Sequence, residues 1–189
     1  MKTILKDIAS LSSGVYAQPD ILADTLYLQA NHFDRNGHFD TSVRPQLKLT
    51  EKNKNHLLVN GDILFAAKGL NNFAVVYSNS IGRAVASSSF IVIRIAEEIK
   101  TKLLPEYLAW YINNNKQVAV FHQLKATSTI PSISIAQLGE LELYIPSMDK
   151  QEKLVYIQKL FVKQQQIEIE LMSLKKIQLR ELLLKAITK

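Results

Sequence analysis

The chain has 189 residues, a net charge of +6 and no cysteine. That length suits one domain plus an extension, and the missing cysteines exclude thiol catalysis, cysteine-ligated zinc and a disulfide framework. The composition fits a reducing cytoplasm, and a start of "MKTILKDIASLSSG" with no long apolar stretch reads as neither a signal peptide nor a membrane span.

Residues 3–11, "TILKDIASL", place Ile4, Leu5, Ile8 and Leu11 on one helical face, with Gly14 as a stop. This predicts a short amphipathic helix. Residues 12–56 are mixed, with an apolar stretch "DTLYLQ" and a polar loop "NHFDRNGHFDTSVRP". In "HLLVNGDILFAAKG" an apolar run is broken at Asn60-Gly61-Asp62, which predicts a tight turn. "FAVVYS" and "SSSFIVIRI" are rich in Val, Ile and Phe and predict strands. Pro105 opens "PEYLAWYINNNKQVAVFHQL", helical in pattern, because proline is tolerated in a first helical turn. "ATSTIPSIS" reads as a loop, "IAQLGEL" as a short helix and "ELYIP" as a strand.

From Ser147 to Lys189 there is neither glycine nor proline. Ser147 suits an N-cap, and Asp149 complements the positive end of the helix dipole. A helix of that span would be about 60 Å long. Ile157, Gln164, Leu171 and Gln178 recur every seven residues, with Leu160, Ile167, Leu174 and Glu181 in the second register, and past about residue 176 the apolar stripe shifts to Leu179, Leu182, Leu183, Ala186 and Ile187. This is an a/d seam with polar residues at several core positions and an imperfect register, and it predicts a coiled coil. One side could instead pack on the chain's own domain. A second copy is the simplest external partner, since twofold homo-oligomers are the commonest assemblies. The expected division is 1–146 for the globular domain and 147–189 for a spacer and dimerisation helix. The fold class is α+β, a mixed domain with a small β-rich core followed by the long helix.

Nine Lys/Arg face five Asp/Glu from residue 147 onward, and fourteen face twelve before it. The globular part is therefore nearly balanced, and any contact with DNA must come from a local patch. His32, His38, His56 and His122 lack metal-type spacing, and no phosphate loop, dinucleotide fingerprint or nucleophile elbow is present. No catalytic or metal site is expected. Binding chemistry is better represented. "AAKGLNNF" offers Lys68, Asn71 and Asn72: asparagine can pair with adenine edges, and lysine can reach guanine or phosphate. "QLKATSTIPS" offers Lys125, Thr127, Ser128 and Thr129, whose hydroxyls and backbone N–H groups suit phosphate. Arg35 and Arg44 add positive charge in the segment before them. Each loop also has a plain reading, as a turn or as a strand start.

Taken in order, "LKDIASLSSG", "LLVNGDILFAAKG", "SSSFIVIRI", "LPEYLAWYIN", "ATSTIPSISIAQLGELELYIP" and "MDKQEKLVYIQKL" resemble a half-length specificity subunit of a type I restriction–modification system. The similar stretches cover most of the chain. The sequence departs at "PSMDKQ", where family members often carry a second proline and an acidic residue before the glutamine. The resemblance implies a target recognition domain followed by a spacer helix that pairs antiparallel with its counterpart. It implies double-stranded DNA and modification (methyltransferase) subunits as partners, and a restriction subunit can join them. S-adenosylmethionine and ATP are expected on those partner subunits, with no cofactor on this chain. With one unit per chain, a homodimer would read a split, palindromic site. The alternatives are pairing with a different half subunit, or a helical adaptor or regulator that assembles a complex without reading DNA.

Overall fold

The computed structural model describes all residues except 19, 35–36, 70–71, 115–131 and 188–189, and the side chain of Lys52. The chain divides into two compact units, Met1–Glu152 and Lys153–Lys189.

The first unit is built on strands. β1 (Lys2–Ile4), β2 (Ala9–Ser13), β3 (Leu26–Leu28), β4 (Ile63–Ala66), β5 (Ala74–Val76), β6 (Ala84–Ala86), β7 (Phe90–Ile95) and β8 (Glu142–Tyr144) occur in that order. The central sheet has the order β2-β7-β4-β5, and all of its pairings are antiparallel. β3 pairs with β6 in parallel, and β1 pairs with β8 antiparallel. Short helices α1 (Glu51–Lys54), α2 (Pro105–Asn114) and α3 (Ile135–Gly139) join them, and α4 runs over Met148–Ile187. The fold is α+β with a long C-terminal helix, as expected.

Strand chemistry explains the centre. β4 is "ILFA" with every residue buried, and β7 is "FIVIRI" with only Arg94 less than buried. β-branched and aromatic side chains of this kind pack well on a pleated sheet. Leu28, Leu64, Ala66, Tyr77, Phe90 and Val92 form one buried cluster. The serines before β7 belong to its entry turn: Phe90 N donates to Ser87 O, and the Ser87 and Ser89 hydroxyls lie 2.6 Å apart. Gly14 shows a close backbone approach, since a Cβ there would stand 2.1 Å from Ser87 O.

Residues 3–11 depart from the expected helix. They form β1, a 3-10 turn over Leu5–Asp7, and the start of β2. The apolar spacing served both arrangements, because Leu5 and Ile8 are buried in the turn between the strands. Pairing decides the outcome, as β8 and β7 offer complete ladders on either side of that turn. The helix expected over 105–124 is seen as α2 to Asn114, and its remainder falls outside the described residues.

The turn at Asn60-Gly61-Asp62 has Gly61 at φ 90°, and Asp62 N donates to Val59 O. That positive φ favours glycine. Asp62 is only 1% exposed. Its carboxylate accepts from Arg94 Nε at 2.7 Å, Arg94 Nη2 at 2.6 Å and Val59 N at 2.9 Å. This two-pronged pair and backbone bond tie the turn to β7. The bond to Asp62 also raises the Arg94 pKa, against a smaller opposing effect of burial.

α4 begins as the sequence suggests, with Gln151 N donating to Ser147 O. Gln151 is wholly buried. Its Oε1 accepts from Leu104 N at 2.9 Å, and its Nε2 donates to Lys102 O at 2.7 Å and Pro146 O at 3.0 Å. The buried amide is thereby satisfied, which removes the cost of desolvating it unpaired. Among the described residues, no helix is long and apolar enough to cross a membrane.

Candidate nucleic-acid interface

Residues 32–34 and 37–40 pair antiparallel as the two arms of a hairpin, and Phe33 and Asp34 of the first arm line one wall of a cleft. Asp40 N donates to His32 O at 2.9 Å, Asp34 N to His38 O at 3.0 Å and Gly37 N to Asp34 O at 3.0 Å. Phe33 and Phe39 face each other across it with ring centroids 5.7 Å apart. Phe33 meets Phe90 of β7 edge-on at 6.0 Å, and Phe73 meets Phe90 at 6.3 Å. Edge-to-face aromatic pairs each add about 0.5–1.5 kcal/mol beyond burial, so the rings help to anchor this segment on the sheet. Gly37 has φ 81°, and a Cβ there would stand 2.8 Å from Val75 Cγ1. Glycine thus serves both the backbone and the contact with β5.

The tip carries charge. The Asp34 carboxylate accepts from His38 N at 2.8 Å and pairs with His38 Nδ1 at 3.0 Å. Both side chains are about half exposed. At the base, Gln29 N donates to His32 Nδ1 at 3.2 Å. Burial pushes the His32 pKa down, partly offset by Asp40, and a neutral ring is what that nitrogen needs in order to accept. The Asp40 carboxyl is held low chiefly by bonds from the Ser42 hydroxyl and backbone, with His32 and Arg44 adding smaller contributions.

The opposite wall is the loop after β4. Lys68 forms an isolated antiparallel bridge with Ser132, and its exposed side chain brings Nζ to 3.5 Å from Ser88 Oγ. Asn72 Nδ2 donates to Ala66 O within the same loop. Phe33, Asp34, Lys68, Gly69, Asn72 and Phe73 line an open cleft of about 600 Å³.

Of the residues expected to meet DNA, Lys68 and Asn72 come together in this cleft. Asn72 spends an amide hydrogen on its own loop, so part of its capacity is structural. Arg44 is exposed, donates to Thr41 O at 3.1 Å, and does not line the cleft. Arg35, Asn71, Lys125, Thr127, Ser128 and Thr129 lie outside the described residues. The sequence reading passed over Phe33, Asp34 and Phe73. A signal was present, because two phenylalanines flank an Asn-Gly pair in "FDRNGHF", the pattern of a tight hairpin with an aromatic cross-strand pair.

A second cleft of about 430 Å³ lies beside the Asp62–Arg94 pair and includes Tyr77, Lys100 and Glu106. Its central charges are already paired with each other. Among the described residues, no group of three or more His, Asp or Glu could hold a metal ion.

The seam residues belong to the second unit and are exposed throughout: Ile157 by 61%, Leu160 by 49%, Ile167 by 56%, Leu171 by 48% and Leu174 by 57%. Gln164, between them, is exposed too and donates to Glu168 at 2.9 Å.

Three solved structures share this fold. The S subunit of a type I restriction–modification system from M. genitalium aligns with TM-score 0.59 and 14% identity, over 86% of this chain and 39% of that one. The HsdS subunit from Thermoanaerobacter tengcongensis aligns with TM-score 0.57 and 12% identity, over 87% and 37%. A chain from a structure described as showing complex assembly and conformational transition of the type I R-M system aligns with TM-score 0.55 and 14% identity, over 87% and 38%. The present chain therefore spans under two fifths of the length of each. Among curated protein sequences there is no significant match. The family model for the type I restriction modification DNA specificity domain matches residues 23–179, which takes in most of the first unit and most of α4. The chain belongs to the type I restriction–modification DNA specificity family.

Proposed function

We propose that this chain is the non-catalytic DNA-reading component of a type I restriction–modification complex. In this reading it directs adenine methyltransferase subunits to a split site. The match to the specificity family over residues 23–179 carries the reading. The cleft supports it, because Asp34, Lys68 and Asn72 give its lining both donors and acceptors. The seam of α4 supports pairing of two such helices. Apolar residues at the a and d positions are 48–61% exposed, and exposed apolar stripes of this kind mark interaction sites. In the proposed assembly a second copy supplies the other helix, antiparallel, and the second reader. A palindromic site with a fixed gap follows from that symmetry.

The test is a modified-base map of the host genome with and without the gene. The proposal predicts loss of adenine methylation at a split palindrome on deletion. Loss at an asymmetric split site would retain the reading function but require a different second half. If the gene is expressed and no methylated motif disappears on its deletion, the reading function is wrong and an adaptor without DNA specificity takes its place.

A further inference from the structure

We propose that α4 pairs with α4 of a second copy in one antiparallel register, with the twofold axis between Gln165 and Gln166 and with Lys163 facing Glu170 of the second copy. This rests on the helix pairing proposed above and deepens it, by naming the residues that select partner and register.

The argument starts from the extent of the apolar seam. Its apolar members run from Ile157 to Leu174 and are all exposed. Polar side chains hold the seam positions beyond both ends: Lys150 and Lys153 before it, Gln178 and Glu181 after it. In an antiparallel pair each a residue faces a d residue of the other helix. Centring the apolar stretch on itself sets Ile157 opposite Leu174, and Leu160 opposite Leu171, of the second copy. Gln164 and Ile167 share the middle layers. Gln164 already donates to Glu168 at 2.9 Å, which keeps its amide partnered when the seam is covered. Beyond the apolar layers, Lys150 faces Glu181 of the second copy.

Charge at the flanks picks this register out. In an antiparallel pair the residues beside the seam meet g to g and e to e, and such contacts set partner choice. Here Lys163 meets Glu170 of the second copy, twice by symmetry, and the exposed Tyr156 meets the exposed Ile177. Sliding the helices by one heptad in one direction sets Glu170 against Glu170. Sliding them in the other sets Lys163 against Lys163. Both replace attraction with repulsion. A parallel, in-register pair would match Lys163 with Glu168 and Glu170 with Lys175. It would also set Lys150, Lys153 and Glu181 each against its own copy inside the seam, where the helices are closest. The centred antiparallel register has no such clash and complements itself at its layers and at its flanks, which is why the occupant is a second copy of this chain. The register also fixes a length: the two Met148 ends lie about 50 Å apart along the pair, at 1.5 Å per residue.

The test is a charge swap read by sedimentation of the full chain, with circular dichroism to check that each variant keeps its helix. Lys163→Glu and Glu170→Lys each oppose like charges twice, and each alone should raise the dimer Kd by on the order of 10-fold. The double variant restores both pairs and should return Kd to within about 3-fold of wild type. Single variants that dimerise as wild type would overturn the contact. In a parallel pair the double variant would face like charges at Glu168 and Lys175, so absence of rescue would overturn the orientation. The chain has no cysteine, which allows a second readout. A mixture of Ile157→Cys and Leu174→Cys chains should form a disulfide between them on mild oxidation, whereas Ile157→Cys alone should not. A disulfide from Ile157→Cys alone, or none from the mixture, would overturn the register. A wild-type chain that stays monomeric, alone and with its modification subunits, would overturn the second copy as partner. The reading function would survive that result if deletion of the gene still removed a methylated motif.

Discussion

Asp62 is 1% exposed and accepts three hydrogen bonds, two of them from the partly exposed Arg94. Replacing it with alanine strands the Val59 N–H and leaves the guanidinium without its partner. Hydrogen bonds to charged groups contribute about 1.5–3 kcal/mol, and the solvent access of Arg94 keeps the sum toward the lower part of that range. Asp62→Ala should therefore destabilise the first unit by about 2 kcal/mol and lower its Tm by on the order of 5 °C. A thermal melt checks this, and an unchanged Tm would contradict the anchoring role. Tyr107 shows the same logic for a neutral group. Its hydroxyl donates to Tyr144 O at 2.6 Å, and burial, reinforced by Tyr111 and Tyr144, pushes its pKa up to about 12. The protonated form is thus favoured in the folded state. The stability it contributes is present below the ordinary value of 10.0 and is lost as pH rises toward 12.

At the scale of elements, α4 and the 32–40 hairpin were legible to different degrees. α4 announced itself, because Ser147 to Lys189 contains no helix breaker and its apolar residues fall at heptad spacing. β4, β5 and β7 were legible as runs of Val, Ile and Phe. The hairpin carried a local signal in its Asn-Gly pair and flanking phenylalanines, but its anchoring did not, because two of the rings that hold Phe33 belong to Phe73 and Phe90, far along the chain. Local pattern cannot show that kind of partner. The same limit misled the reading of residues 3–11, where nine residues of apolar spacing fit a helix as well as a strand–turn–strand, and only the ladders to β7 and β8 decide. The candidate site was half legible for this reason: Lys68 and Asn72 stand in a recognisable loop, whereas Asp34 joins them in the cleft lining only in the folded chain. The seam makes a prediction of its own. If the paired helices set the distance between readers, deleting one heptad between Ile157 and Leu174 shortens them by about 10 Å, or about 3 base pairs. A methylation map of the deletion variant should show the gap reduced by that amount, or methylation lost altogether. An unchanged gap would refute the ruler.

For the molecule as a whole, charge and surface divide the work. The net charge of +6 is spread so that residues 1–146 carry fourteen basic against twelve acidic side chains. So even a balance gives little general attraction to a polyanion, and in the proposed account sequence preference comes from a few placed groups in one cleft. Lys/Arg contacts to phosphate would supply the remainder and make binding fall steeply with salt. α4 contributes an exposed apolar stripe, and in the proposed account a second helix covers it, so that reading and assembly fall to different parts of one chain.

The most direct test of the central claim is a selection from random duplex DNA by the purified chain assembled with its modification subunits, repeated at two salt concentrations. The account predicts enrichment of one two-part motif with a fixed gap, and affinity that falls with salt while the motif persists. Binding that falls with salt but enriches no motif would contradict it, because the chain would then bind DNA as any basic surface does.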